Sequence, residues 1–522
     1  MLQSDPVSAD ASMFCPFRFP LTTSWLGEED KTAEQAFSLI HCFDSVLSRN
    51  PGVTYQDLFF NTGSLSAEDI RQKFHSTFPH AEDVPAVEDP RWKSLVSLLE
   101  RPWFTRLWVF QEALLSSAKK KAHISCGSLD CSIVSLHLAT SLLFVDWELP
   151  SIPSGLQLVP MLMQYYLYRE SDSFPSLSFT LWQIGGILQS RNPRDRVYGL
   201  LGIQSSEKAV HIPIDYTKSV QDVYTDCMRR LIWNLRVLEF IQRNSKSHRV
   251  PDLPTWVPDW SAEVTSTPLE TSRDTRDLNN VRFNACKHLR YHPNQPEPIS
   301  NAFLAVKGKV VDKVVTLIQS LGHEFQIGFP SLVEKYFTEN FPVSKWAALL
   351  HNNIALGYLP DATPDELKAI IIRTITADGF DKFNSLAMQE ESAALPTPRP
   401  TSEADALEAF NELDILSHLW NNGQYRISGT PKELQQKMWM TTEVCKGRVL
   451  AMLSNFWLAL APQQVQPGDC ICVLHGSTVP WALRPTNDEG KYEVVGQCFV
   501  DGIMYGEAVN WEEDEADTFV LV

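Results

Sequence analysis

A glutamate lies near the end of RPWFTRLWVFQEAL, a dense apolar run that spans Arg101 to Leu114. A carboxylate anchored in such a run can take part in glycoside-type chemistry, because it stabilises the positive charge that develops on a sugar when the glycosidic bond breaks. Glu112 can instead pair with Arg101 or Arg106 and satisfy charge at the edge of an aromatic core. Both interpretations stay open, and the other motif residues of the run are Trp103, Trp108 and Gln111.

A second dense cluster, RNPRDRVYGLLG, spans Arg191 to Gly202 and sets three arginines around one aspartate. Guanidinium groups can hold a phosphate through paired hydrogen bonds, or they can pair with Asp195 and nearby acids. The adjoining VYGLLG run is apolar enough to be core, which favours intramolecular pairing. The candidate residues here and in the following IDYTKSV segment are Arg191, Arg194, Asp195, Arg196, Tyr198, Asp215 and Tyr216.

Two further motifs are typical of turns. LPTWVPDWS sets Trp256, Asp259 and Trp260 beside two prolines, and this pattern favours a rigid packed turn over a surface on which a ligand stacks. Gly468 and Asp469 indicate the turn before a strand.

Most familiar catalytic motifs are absent from the sequence. It contains no Gly-rich phosphate loop, HExxH helix, GxSxG elbow, GxGxxG fingerprint or kinase signature set. Cys126, Cys131 and His123 lack a second Cys/His pair at a zinc-ligand spacing. We therefore expect no metal site and no required cofactor.

Composition bounds the partners and the compartment. The 522 residues include 63 acidic and 45 basic side chains, a formal net charge of −18. Such a surface repels phosphate backbones and anionic lipids, so we expect neither nucleic acid nor membrane as a partner. The sequence shows no signal peptide and no apolar run long enough to span a bilayer, and its ten cysteines are scattered. These features predict a cytoplasmic protein with reduced thiols.

The order of the elements predicts an α/β plus α and β architecture. An α/β segment over residues 16–127 contains the helix DKTAEQAFSLIHCFDSVLS, a second helical stretch broken near Pro102, and an insertion at about 50–90 with a short helix from Ser66. Residues 128–262 are mainly helical. Residues 263–441 form a variable region with a linker at about 392–405, and a small antiparallel β module follows over 442–522.

Several long motifs in one order resemble those of fungal heterokaryon-incompatibility (HET) domain proteins. They are RPWFTRLWVFQEALL, NPRDRVYGLLGI with IDYTKSV, LPTWVPDWS, and PGDCICVLHGSTVPWALRP with YEVVGQCFVDGIMYGEA. The segment TTSWLGEEDKTAEQAFSLI resembles the later half of the HET domain. Segments similar to YxALSYxWG and WIDxxCINQ are not found upstream of Trp25, so the resemblance implies a HET domain without its N-terminal strands.

The resemblance also implies a chemistry. HET domains are thought to be related to TIR domains, some of which cleave the nicotinamide–ribose bond of NAD⁺ with a glutamate that follows a tryptophan on a helix. Trp108 and Glu112 match that setting, so the resemblance implies a partial TIR-like segment in which Glu112 is the catalytic candidate and NAD⁺ a possible substrate.

The function that the resemblance implies is allorecognition. HET proteins act in vegetative incompatibility and trigger programmed cell death when incompatible partners meet in a fused cell. The expected partners are proteins, among them other incompatibility or NLR-like proteins, or a second copy of this chain. Two alternatives stay open: an NAD⁺ glycohydrolase that uses Glu112, and a non-catalytic interaction scaffold or regulator.

Overall fold

The computed structural model describes two compact units, Met1–Tyr216 and Thr217–Val522, which we treat separately. The described residues are 23–50, 53, 74–78, 81, 83–86, 88–116, 123–146, 153–170, 175–204, 209–235, 238, 250–262, 268–269, 283–287, 289, 291, 302–320, 363–378, 401–411, 444–445, 447–455, 457–512 and 515–522. The predicted helix from Ser66 lies largely outside these ranges, as do most of the 50–90 insertion and most of the 392–405 linker.

The first unit contains a three-stranded sheet in the order β1-β2-β3. Strand β1 (Thr23–Trp25) runs parallel to β2 (His123–Cys126), and β3 (Leu129–Ser132) is antiparallel to β2. A parallel pair requires a crossover connection between its strands. This sheet confirms α/β character in the segment over 16–127.

The crossover begins with helix α1 (Lys31–Arg49), whose start is fixed by Asp30. The Asp30 carboxylate accepts a hydrogen bond from the backbone N–H of Ala33 at 2.7 Å, which is the usual N-cap contact. The buried side of α1 carries Ala33, Ala36, Phe37, Leu39, Ile40, Phe43 and Val46. It packs against α2 (Arg91–Leu99).

The predicted helix break near Pro102 is confirmed. Helix α2 ends at Leu99, a 3₁₀ turn covers Pro102–Thr105, and α3 covers Leu107–Ser116. Proline lacks an N–H donor and is tolerated at the first position of a new turn, where no intrahelical partner is needed. Because the chain restarts there, α3 has its own direction and carries Trp108, Gln111 and Glu112 on one face.

The rest of the first unit is mainly helical, as the apolar sequence predicts. The helices are α4 (Ile133–Asp146), α5 (Ser154–Glu170), α6 (Leu177–Gly185) and the short α7 (Asp195–Tyr198), with a 3₁₀ turn at Leu201–Ile203. Helix α6 begins at the N-cap Ser176, whose hydroxyl accepts from the N–H of Phe179. The unit ends at Tyr216, before residue 262, the predicted end of the helical region.

The second unit begins with helix α8 (Val220–Leu235), which buries the apolar face that its spacing predicts, including Val223, Tyr224, Cys227 and Leu231. Within the described ranges, its sheet has eight strands in the order β10-β6-β5-β4-β11-β9-β8-β7. The strands are β4 (Leu304–Ser320), β5 (Arg448–Leu453), β6 (Leu458–Pro462), β7 (Cys470–Leu474), β8 (Trp481–Pro485), β9 (Lys491–Gln497), β10 (Phe499–Val500) and β11 (Asp517–Leu521).

Strand β4 makes this sheet larger than the small module expected over 442–522. It pairs with β11, β7 and β5, and its pairing with β7 closes a ring of five strands, β4-β11-β9-β8-β7. The pairings are antiparallel except that of β11 with β9. Strand β4 lies within residues 263–441, the predicted variable region. It is shared by the five-stranded ring and by the remaining row of strands, β5, β6 and β10.

Helical segments of the same stretch also pack in this unit. Helix α9 (Pro364–Thr376) starts with a capping box formed by Thr363 and Glu366. Arg373 of α9 forms a two-bond ion pair with Asp501, just after β10, at 2.8 and 2.7 Å. Residues 403–411 are helical, so the C-terminal end of the predicted linker begins an ordered element.

The turn at Gly468 and Asp469 fixes where β4 leaves one partner strand and joins another. Gly468 has a positive φ of 94°, which explains why glycine suits this position. Its N–H donates to the carbonyl of Val314 at 2.8 Å, and the N–H of Val314 donates to the carbonyl of Asp469 at 2.9 Å. Pairing with β7 ends beside Val314 and pairing with β5 begins there.

A buried ion pair holds this turn. The Asp469 carboxylate is 3% exposed and accepts two hydrogen bonds from Arg484 of β8, each at 2.9 Å, and one from the N–H of Gln466 at 2.8 Å. Arg484 also donates to the carbonyl of Gln464. The pair therefore connects the entry of β7 to β8.

We expect Arg484→Met to lower the free energy of unfolding of the 217–522 unit by about 2–4 kcal/mol, because it leaves a buried carboxylate without its cation. The matched control is Lys368→Met, which breaks an exposed pair with Asp365 and should cost no more than about 0.5 kcal/mol. Urea unfolding of the full chain, followed by circular dichroism, measures both. Equal effects of the two substitutions would contradict this account.

Candidate functional site

The two dense sequence clusters meet in the first unit through backbone hydrogen bonds. The N–H of Leu107 donates to the carbonyl of Gln189 at 2.9 Å, and the N–H of Gln189 donates to the carbonyl of Thr105 at 2.6 Å. These bonds form an isolated parallel bridge between Arg106 and Gln189. The start of α3 is thus fixed against the segment that leads into the RNPRDR motif.

Asp195 is the side chain that joins the clusters. Its Oδ2 accepts a hydrogen bond from Nε1 of Trp108 at 3.1 Å, and its Oδ1 accepts one from the hydroxyl of Tyr216 at 2.9 Å. The partners differ from the arginines that the sequence favoured. Two neutral donors already occupy both carboxylate oxygens, so no guanidinium is needed to satisfy Asp195.

The arginines of the motif have other contacts. Arg196 donates to the carbonyls of Gly185 and Leu188 at the end of α6. Arg194 donates to the side-chain oxygen of Asn192 at 3.2 Å, and Arg191 is exposed. Arg194 and Arg196 therefore form hydrogen bonds within the protein, as expected for the motif. Their acceptors among the described residues are carbonyl and amide oxygens and not the Asp195 carboxylate.

Tyr216 is held in place although it is exposed. Its ring meets the ring of Tyr198 edge to face, with centroids 5.2 Å apart. The Tyr198 hydroxyl donates to the carbonyl of Asp215 at 3.0 Å and accepts from the N–H of the same residue at 3.2 Å. Burial and the Asp195 carboxylate raise the pKa of Tyr216 to about 12, so its phenol stays protonated at neutral pH.

Glu112 is half-buried and has no hydrogen bond or ion pair within the part of the chain that the structure describes. Burial raises the pKa of Glu112, and the positive charge of Arg106 offsets part of that rise without an ion-pair contact among the described residues. Arg101, the other cation considered, pairs with Asp30 at 2.8 Å instead. The carboxylate is thus desolvated without a compensating bond from the described residues.

Arg101 forms a contact network that the sequence analysis did not identify. Its guanidinium contacts the carbonyl of Glu28 at 3.0 Å and Sγ of Cys126 at 2.9 Å, in addition to the Asp30 carboxylate. The group lies at the C-terminal ends of the parallel strands β1 and β2. The N-cap signal of Asp30 before the α1 pattern predicts only its bond to the N–H of Ala33, whereas all three contacts of Arg101 join residues that are distant in sequence.

The remaining motif residues of the first unit pack in its core. Trp103 is buried and meets Phe104 edge to face, with centroids 5.0 Å apart. Gln111 is buried against Gly202, where an added Cβ would lie 2.0 Å from the Gln111 side-chain nitrogen. A side chain at residue 202 would therefore require the Gln111 amide to shift.

The TWVPDW motif lies in the second unit and is packed. Trp256 is fully buried and donates from Nε1 to the carbonyl of Ala302 at 3.2 Å, and Trp260 meets Tyr224 edge to face. Asp259, also fully buried, accepts from the N–H groups of Val250 and Ser261. These contacts match a rigid packed turn.

The described residues show neither a metal site nor a membrane span. No group of three or more histidine, cysteine, aspartate or glutamate side chains is placed to hold a metal ion in the described ranges. His123 contacts Asp130 at 3.2 Å, while Cys131 is buried and the Cys126 thiol faces Arg101. Among the helices with described positions, none is long and apolar enough to cross a bilayer.

Comparisons with known proteins bear on the motifs. The family model described as the Het-6 beta-barrel domain matches residues 428–522. The chain is 25% identical over 548 aligned residues to "Heterokaryon incompatibility protein 6, OR allele" of Neurospora crassa, an alignment that covers 94% of this chain and 77% of that protein. No solved structure matches. The matches confirm the resemblance read from the ordered motifs: this chain is similar to a fungal heterokaryon-incompatibility protein along most of its length.

Proposed function

We propose that this chain acts in fungal allorecognition, as a protein that signals programmed cell death when incompatible cells fuse. The observation that supports this is the extent of the similarity. An alignment over 94% of the chain must include most of both compact units, so the likeness to the Neurospora protein is not confined to one module. The function takes place in the cytoplasm of the fused cell, with protein partners that include other incompatibility proteins.

Expression of the chain in a fungal host should lower the viability of fused cells when the opposing strain carries an incompatible partner allele, and should leave compatible fusions unaffected. The measurement is the count of colonies that recover after fusion. A frameshifted copy of the same gene, which yields the same transcript without the protein, is the matched control. Full viability with every partner strain would contradict a death-signalling role and favour a scaffold or regulator.

A second candidate function is cleavage of NAD⁺ in a TIR-like first unit, and the observation that favours it is the state of Glu112. A half-buried carboxylate without a bond from the described residues destabilises the fold, but it can act on a bound substrate. The bond between the nicotinamide nitrogen and C1 of the ribose would break, with its electron pair leaving on nicotinamide. Water would then add to C1 and lose a proton, while the Glu112 carboxylate stabilises the positive charge on the ribose.

Purified protein should consume NAD⁺, and Glu112→Gln should reduce turnover by about 100-fold or more, because the neutral amide cannot stabilise the cationic sugar. Glu100→Gln is the matched control, since Glu100 is exposed at the end of α2 and loses the same charge. A concentration series tests whether self-association activates the site, which would raise specific activity with protein concentration. Equal turnover by wild type and Glu112→Gln would exclude Glu112 as the catalyst.

Stability distinguishes a catalytic glutamate from a structural one. Burial raises the folded-state pKa of Glu112 above 4.5, so its contribution to stability is present at low pH and is lost as pH rises through the folded pKa. Glu112→Gln removes this penalty. We therefore expect the variant to melt about 1–3 °C above wild type at pH 7, a modest gain because half-burial screens the charge.

The gain should shrink as the pH falls through the folded-state pKa toward 4.5, because below both pKa values the carboxyl is protonated in the folded and unfolded states. Thermal melts of both proteins between pH 4 and pH 8 measure the difference, with about the same protein concentration throughout. If Glu112 were instead a structural ion-pair partner, Glu112→Gln would melt below wild type at neutral pH.

A further inference from the structure

Tyr216 is exposed to solvent and is also held in place by its neighbours. It is 48% exposed, and it is the one aromatic residue among the large hydrophobic side chains that the described part of the chain leaves exposed. Its hydroxyl is bound to Asp195, its ring meets the ring of Tyr198 in a T-shaped arrangement, and the backbone of Asp215 just before it is held by the Tyr198 hydroxyl. Holding a side chain in one rotamer costs conformational entropy that burial normally offsets. Here half of the ring faces solvent.

The hydrogen-bonding capacity of Asp195 does not explain why Tyr216 is held in place. The carboxylate already accepts from Trp108, and a partly exposed carboxylate can complete its hydrogen bonds with water. An exposed, rigidly held aromatic ring is instead typical of a contact surface, because it offers a large face at little further entropic cost on binding.

The Tyr216 ring is connected, through Asp195, to the helix that carries Glu112. Asp195 binds Tyr216 through Oδ1 and Trp108 through Oδ2, so the two aromatic side chains are tied to the same carboxylate. Trp108 lies one helical turn before Glu112 on the same face of α3. The exposed ring and the half-buried carboxylate are thus linked through one tryptophan.

The charges around the ring select the kind of ligand. A phenol that donates to a carboxylate gains electron density, and its face attracts a cation more strongly. Asp195 is the negative charge that acts on Tyr216, and Arg194 is the cation that acts on it. The arginine influence on Tyr216 is smaller than that of Asp195.

We propose that the face of Tyr216 binds a planar, positively charged heteroaromatic ring, and that Asp195 is the residue that positions Tyr216 for it. In the proposed NAD⁺ reaction this ring is the pyridinium of the substrate, so the inference rests on that function for its biological ligand. Cleavage converts the pyridinium into neutral nicotinamide, which such a face holds less well. The same site would therefore favour release of the product.

Ligand-observed NMR titrations of the full chain test binding without turnover. The probes are nicotinamide methylated on its ring nitrogen, which is a cation, and neutral nicotinamide, which has the same ring and amide. We expect the cation to bind about five- to tenfold more tightly. Tyr216→Ala should weaken binding of the cation by about tenfold, whereas the control Ile187→Ala, which removes another exposed apolar side chain, should leave it unchanged.

Asp195→Asn and Tyr216→Phe test the positioning role. Both variants keep an aromatic ring at residue 216 but weaken or remove its hydrogen bond to residue 195. We expect each to weaken binding of the cation by about threefold. In Asp195→Asn, the pKa of Tyr216 should fall from about 12 toward the usual tyrosine value. It is measured by ultraviolet titration, as the difference between the curves of a protein with Tyr216 and of the same protein with Tyr216→Phe. Circular dichroism spectra check that each variant is folded.

The outcomes separate this inference from the proposed reaction. Binding of the cation that depends on Tyr216, without NAD⁺ turnover, would support the ring site and refute the glycohydrolase. Turnover that is unchanged in Tyr216→Ala would support the glycohydrolase and overturn the ring site. Equal affinity for the two probes, or no binding of the cation to wild type, would also overturn the ring site.

Discussion

The carboxylate of Asp195 is the contact on which the arrangement of the first unit's candidate site depends. Trp108 reaches it from α3, and Tyr216 reaches it from the end of the unit, so two motifs that are distant in sequence share one acceptor. The backbone bridge between Arg106 and Gln189 fixes the same two segments a few residues away. A side-chain bond and a backbone bridge together hold α3 in one orientation, and with it the direction in which Glu112 points.

Strand β4 has a comparable role in the second unit. It is long enough to pair with β11 and β7 along its first part and with β5 along the rest, with register shifts at residues 310–312 and 314–319. Asp312 is buried at the first shift and accepts hydrogen bonds from the N–H groups of Ser454 and Asn455 in the turn after β5. One irregular strand thereby joins the closed ring to the additional strands, and Asp312 supplies hydrogen-bond acceptors at its first irregularity.

Local signals predicted local structure well, while long-range pairing was beyond them. The spacing in α1, the break at Pro102 and the turn at Gly468 each depend on neighbours within a few residues, and all three are found. The partners of Asp195 were mispredicted because charge favoured the adjacent arginines, whereas the fold brings distant neutral donors to it. The position of β4 in the sheet was not predicted. The polar sequence that precedes β4 within residues 263–441 does not show which strands β4 will pair with.

The candidate site is where local rules and stability conflict. Glu112 loses solvation without gaining a bond from the described residues, and Tyr216 is ordered without being buried. Each feature costs folding free energy. Tyr216 is bonded to Asp195 directly, while Glu112 lies one helical turn from Trp108, which donates to the other Asp195 oxygen. A well-satisfied residue that supports two poorly satisfied ones is the pattern expected of a preorganised site, because the support must be rigid for the exposed groups to act on a ligand. This contrast supports a ligand-directed role for the surface beside α3 more strongly than the sequence motif alone.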